Sequence, residues 1–171
     1  MKQLFLCSYF AGVKKLFSDY AKEKNLENKV LFIPTAGNKE DYTAYIDEAQ
    51  QTFKDLGFEI EVLDIASCDR ETAQAKIFQS KILYISGGNT FYLLQELKKK
   101  QLLSLIKELS DTTGLNEVEF YILPHYGEEP FTDSSKKTFE TYKNQLDLMR
   151  MNNSQAVIVN DKEIKVVSEQ D

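Results

Sequence analysis

His125 is the single histidine of the 171-residue chain, and it follows Pro124 directly after an apolar run that ends at Leu123. An imidazole at the end of a buried strand can face a crevice and act there as general base and then general acid. The plainer reading, a satisfied polar group without chemistry, stays open at this point. A metal site is not expected, because a transition-metal centre takes several ligands and the chain has no second histidine. The second feature is Ser86-Gly87-Gly88-Asn89-Thr90, which joins an apolar run to a helical pattern. Unpaired N–H groups at such a helix start can hold a phosphate or a developing oxyanion. Asn89 reads equally well as a helix cap and the glycines as a tight turn. The segment is neither a Walker A loop nor a GxGxxG fingerprint, since no Gly-Lys-Ser/Thr follows and the third glycine is missing.

The elements that would position these residues follow from periodicity. Apolar runs at Leu4–Ser8, Val30–Ile33, Phe58–Ile65, Ile82–Ile85 and Glu117–Leu123 predict strands. Between them, apolar residues recur at helical spacing: Val13, Leu16, Phe17, Tyr20; then Tyr42, Tyr45, Ile46, Ala49, Phe53; then Ala73, Ile77, Phe78. Phe91, Leu94 and Leu97 mark a further helix that ends in Lys98-Lys99-Lys100, where cations suit the helix dipole. Leu102, Leu105, Ile106 and Leu109 give a short one, and Phe139, Tyr142, Leu146 and Met149 predict the last. Ala156–Val159 and Ile164–Val167, on either side of Asn160-Asp161, predict a C-terminal β-hairpin. Strands alternating with helices imply an α/β fold with right-handed crossovers, whose ligand site lies beyond the carboxyl ends of the strands. Ser8, Pro34-Thr35, Ser86–Asn89 and His125 all stand at such ends.

Composition narrows the function classes. Asp+Glu 27 against Lys+Arg 21 leaves a net charge of −6, so no basic field exists to attract nucleic acid or an anionic membrane. No apolar run approaches the roughly 18 residues of a membrane span, and the first residues turn polar too soon for a signal peptide, so a cytoplasmic protein is expected. Cys7 and Cys68 lack metal or redox spacing and read as reduced thiols. One domain over residues 1–171 is expected.

Taken in order, Ser8-Tyr9-Phe10-Ala11-Gly12, Phe32-Ile33-Pro34-Thr35-Ala36-Gly37, Ser86-Gly87-Gly88-Asn89-Thr90-Phe91 and Leu123-Pro124-His125-Tyr126 resemble the dipeptidase E-like serine peptidases, which include α-aspartyl dipeptidases and relatives of cyanophycinase. The resemblance covers nearly the whole chain. It implies a fold related to class I glutamine amidotransferases, with three layers, a mostly parallel sheet and helices on both faces. It also implies a Ser-His-acid site that hydrolyses short peptides such as aspartyl dipeptides. Separately, no cofactor and no metal are expected, and a monomer or homodimer is expected. By motif match His125 takes the place of the catalytic histidine, and the Gly88 N–H that of an oxyanion-hole donor, with Gly87 and Asn89 beside it in the substrate-binding turn.

One part of the pattern is missing. The family carries a nucleophile elbow, Gly-x-Ser-Ala-Gly, between the helix after the Gly-Gly-Asn-Thr motif and the strand leading to the histidine. Here Leu105-Ile106-Lys107-Glu108 passes almost directly into Leu109-Ser110-Asp111-Thr112-Thr113-Gly114-Leu115, and no serine sits in a Gly-x-Ser-x-Gly setting. The family's acid falls in the same stretch. A segment on the order of 30 residues, about one β-α-β unit, is therefore expected to be missing between about 106 and 113. The expected function divides accordingly: hydrolysis if the elbow segment is present, and peptide or partner binding by an inactive pseudopeptidase if it is not. Ser86, which stands where the family has glycine, is the remaining candidate nucleophile, although it lacks an elbow.

Overall fold

The computed structural model describes residues 3–109 and 118–169. Of the stretch between about 106 and 113 where the elbow segment is expected to be missing, residues 110–113 lie outside the described residues. The chain divides into two compact units, one formed by Met1–Tyr20 with Leu115–Asp171 and the other by Ala21–Gly114. The class is α/β, with parallel sheets, flanking helices and an antiparallel sheet built by the C-terminal strands.

In the Ala21–Gly114 unit the strands β2 (Lys29–Ile33), β3 (Glu59–Val62) and β4 (Leu83–Ile85) form a parallel sheet in the order β3-β2-β4. The central strand is an unbroken apolar run, Val30-Leu31-Phe32-Ile33, because both of its faces are covered. Leu31 and Ile33 point into a core with Leu63, Ile65, Ile77 and Leu97. Phe32 meets the rings of Phe53 and Tyr84. Phe53 belongs to α2 (Ala44–Asp55), whereas Ile77 and Leu97 belong to α3 (Arg70–Gln79) and α4 (Thr90–Lys99). Alternation along one strand thus sends two residues to each helical layer. The following helix, α5, spans Leu103–Leu109.

In the other unit β1 (Gln3–Cys7) pairs antiparallel with β7 (Gln155–Asn160), which continues through a hairpin into β8 (Glu163–Ser168). The hairpin connection is Asp161-Lys162, with Asp161 in the left-handed region at φ 53°. α1 (Lys14–Glu23) carries Phe17 and Tyr20, whose rings close against Phe5 of β1. β5 (Tyr121–Leu123) pairs in parallel with β6 (Leu148–Arg150), over a core of Phe120, Met151, Val157 and Val159.

Several elements differ in detail from the periodicity. α6 covers Thr132–Tyr142 and stops short of Leu146 and Met149; Leu148–Arg150 is instead a strand. Ladder hydrogen bonds to β5 outweigh a helical stripe that only four apolar residues supported. Tyr42 precedes α2 and is 68% exposed, and Phe78 and Phe91 are exposed as well, so three expected core aromatics lie on the surface. Their places are taken by Thr52 and by Leu93 with Glu96, one position round the helix from the expected stripe in α4. Among the described residues no helix is long and apolar enough to cross a membrane.

Candidate functional site

His125 stands just beyond β5, where the ladder to the segment after β6 is interrupted. The Met151 N–H donates to the Leu123 carbonyl (3.0 Å) and the Tyr126 N–H to the Met151 carbonyl (3.0 Å), so the backbone is tied on both sides of Pro124-His125. Between these ties His125 adopts φ 53°, a left-handed conformation that few non-glycine residues take. Such strain persists only when the surroundings over-determine it. Ser8, immediately after β1, helps to do so: its Oγ donates to the Met151 carbonyl (3.1 Å) and accepts from the His125 N–H (3.3 Å). The Glu128 N–H donates to the His125 carbonyl (3.1 Å) and closes the turn.

The ring is held as firmly as the backbone. Nδ1 of His125 lies 2.6 Å from Oδ1 of Asn153, in the loop between β6 and β7. One ring face stacks on Phe131, with centroids 4.9 Å apart and planes 27° apart. The residue is half-buried, so the imidazole is not sealed under side chains. Among the described residues Nε2, the other ring nitrogen, has no hydrogen-bond partner. Periodicity and motif placed His125 at this strand end; they did not point to Asn153, Glu128 or Phe131. The one signal for Asn153 was the turn-forming run Asn152-Asn153-Ser154.

The glycine turn belongs to the other unit and is built by close backbone approach. Ser86 N–H donates to the Ile33 carbonyl (3.1 Å), and Asn89 N–H to the Ala36 carbonyl (2.8 Å). Gly88 has φ 125°, and a Cβ there would come within 2.6 Å of the Ala36 carbonyl, so both conformation and space require glycine. Gly88 itself is exposed, and among the described residues its N–H has no hydrogen-bond acceptor, which leaves that donor for an anion or an oxyanion. The Gly87 carbonyl accepts from Tyr45 Oη (3.3 Å). Asn89 is the N-cap of α4, its Oδ1 accepting from the Tyr92 N–H (3.0 Å). Ser86 is buried and its Oγ donates to the Gly87 carbonyl (3.1 Å).

Pro34-Thr35, the remaining strand-end pair, serves the scaffold. Buried Thr35 donates from Oγ1 to Asp64 (2.8 Å) and accepts from the Ile65 N–H (2.8 Å), which locks the end of β2 to the chain leaving β3. Burial pushes the Asp64 carboxyl up, but hydrogen bonds from Thr35, the Ala66 N–H, Asn38 and Ser67 outweigh it and hold the group below its ordinary value. The two thiols move the other way: burial lifts Cys7 to about 12, and burial likewise raises Cys68.

Comparison with known proteins agrees with this architecture. The model of peptidase family S51 matches residues 6–112 and 104–167, two stretches that overlap where α5 ends. An uncharacterized peptidase of Pasteurella multocida is 34% identical over 204 aligned positions, covering 98% of this chain and 97% of that protein. The crystal structure described as a peptidase E protein from Listeria monocytogenes superposes with a TM-score of 0.89 at 29% identity, covering 99% of this chain and all of that one. A Drosophila melanogaster protein named "Probable alpha-aspartyl dipeptidase" is 31% identical over 134 residues, 78% of this chain and 49% of that protein. The alignment with the Pasteurella protein needs 204 positions for a chain of 171 residues, so at least 33 residues of that relative have no counterpart here. With a family match across both units and a relative aligned from end to end, the chain belongs to peptidase family S51.

Proposed function

We propose that the protein handles short peptides, aspartyl dipeptides among them, at a serine-type site of which this chain retains the proton-transfer half. The observation that carries the reading is the 2.6 Å contact from His125 Nδ1 to Asn153, which orients the imidazole and leaves Nε2 for chemistry. With a serine on an elbow, Nε2 would take the Oγ proton as oxygen attacks the peptide carbonyl, and the imidazolium would then protonate the departing amine. By its match to the family motif, the Gly88 N–H is the proposed oxyanion donor, a contribution typically worth about 10² to 10³ in rate. A cytoplasmic location and a monomeric or homodimeric state belong to the same proposal.

A specific observation favours a second reading for the chain as it stands. The missing positions, at least 33 of them relative to the Pasteurella peptidase, and the two-part family match that meets at residues 104–112 support loss of the elbow segment. A 171-residue chain without that serine is a binding module, a pseudopeptidase that holds a peptide and forms no acyl-enzyme. Both readings are tested together by calorimetry and product analysis with aspartyl dipeptides. The expected result is saturable binding without product by the 171-residue protein. Insertion, between Ile106 and Thr113, of whatever residues the Pasteurella relative carries at the corresponding place should add turnover, which His125→Ala abolishes. Turnover that survives His125→Ala would remove that residue from the mechanism, and neither binding nor turnover in both proteins would end the proposal.

A further inference from the structure

We infer that Asn153 is the positioning residue of His125: its amide oxygen fixes the imidazole as the Nδ1–H tautomer, in the place where a serine-type site carries a carboxylate. The inference rests on reading His125 as a proton-transfer residue, but it concerns an equilibrium within the resting protein.

An amide oxygen only accepts hydrogen bonds, so a 2.6 Å contact between Asn153 Oδ1 and His125 Nδ1 requires the proton to sit on Nδ1. In the neutral ring Nε2 then carries the lone pair, which is the form a general base needs. A neutral partner can orient a ring as well as a charged one does, as Cys-His-Asn sites demonstrate. It does so without the added attraction a carboxylate would give the imidazolium.

The loop that presents Asn153 is itself fixed from two sides. The Asn153 N–H donates to Glu128 Oε1 (3.3 Å), and the Glu128 N–H donates to the His125 carbonyl (3.1 Å). The ring partner and the histidine backbone are thus tied to one residue. On the other side lies Gly12, where a Cβ would sit 2.3 Å from the Asn153 carbonyl oxygen and 2.9 Å from the Tyr9 ring. That neighbour is backbone and cannot swing away, so only a glycine at position 12 lets the loop approach this closely. Ser8-Tyr9-Phe10-Ala11-Gly12 therefore contributes twice, with Ser8 Oγ on the His125 N–H and Gly12 beneath Asn153. The β1–β7 ladder, running through Cys7↔Ala156, brings the two segments together.

Because the chain has one histidine, ring ¹⁵N spectra report this side chain without ambiguity. At pH about 9, above the ordinary histidine range, the 171-residue protein should show a protonated Nδ1 and a lone-pair Nε2. Asn153→Ala should return the ring to the Nε2–H form that free histidine favours, and Asn153→Asp, which keeps an acceptor at the same place, should restore Nδ1–H. Gly12→Ala, which moves the loop without altering Asn153, should weaken the Nδ1–H preference in the same direction as Asn153→Ala. An Nε2–H ring in the unmodified protein would overturn the inference, and this measurement needs no variant to fold. An Nδ1–H ring that persists in a folded Asn153→Ala protein would overturn it too. Loss of peptide binding with the Nδ1–H tautomer intact would instead sink the peptidase reading and leave the positioning role standing.

Discussion

At the scale of the residue, two positions carry constraints that composition does not reveal. Gly88 combines φ 125° with a carbonyl 2.6 Å from where its Cβ would be. Gly88→Ala should therefore cost about 2 kcal/mol or more, from a strained backbone and an overpacked contact together. Urea unfolding of the variant checks this, and a change below about 0.5 kcal/mol, within the range of an ordinary surface substitution, would refute the close approach. Cys7, with its thiol lifted to about 12 by burial, should stay unmodified by a thiol reagent at pH 8 in the folded protein and react once unfolded. Rapid labelling of Cys7 under native conditions would contradict the burial that raises its thiol.

At the scale of the element, the end of β2 is joined to the chain beyond β3 through Thr35 and Asp64 rather than by ladder bonds alone. The carboxyl is held below its unfolded value, so its contribution to stability is fully present above that value, 3.8, and is lost as pH falls through the lower folded value. The parent protein should thus lose part of its stability in the acid range below about pH 4. Asp64→Asn should be less stable at neutral pH and show a flatter profile there. Identical profiles for the two proteins would mean that the Thr35–Asp64 link contributes nothing. The same scale explains Leu148–Arg150. A three-residue strand has no periodicity of its own to read, and only its parallel partner Tyr121–Leu123 makes it a strand.

At the scale of the whole molecule, chain length separates the two readings, since the alignment with the Pasteurella peptidase takes in at least 33 residues that this chain does not have. The intact mass of the protein should be 19.7 kDa. An excess of several kilodaltons would mean that the elbow segment is present, and the hydrolytic reading would then replace the binding one. The alternation of apolar runs and helical stripes was enough to determine the α/β class, the strand Val30–Ile33, the hairpin at Asp161 and the placement of His125 and Gly88 at strand ends. These are local patterns, set by burial on one or two faces and by turn chemistry between neighbours in sequence. Tertiary structure alone decided that β1 pairs antiparallel with β7, that Ser8 and Gly12 support a histidine more than a hundred residues away, and that Asn153 holds its ring. Each of these depends on which distant segments meet, and contacts of that range leave no period in the chain.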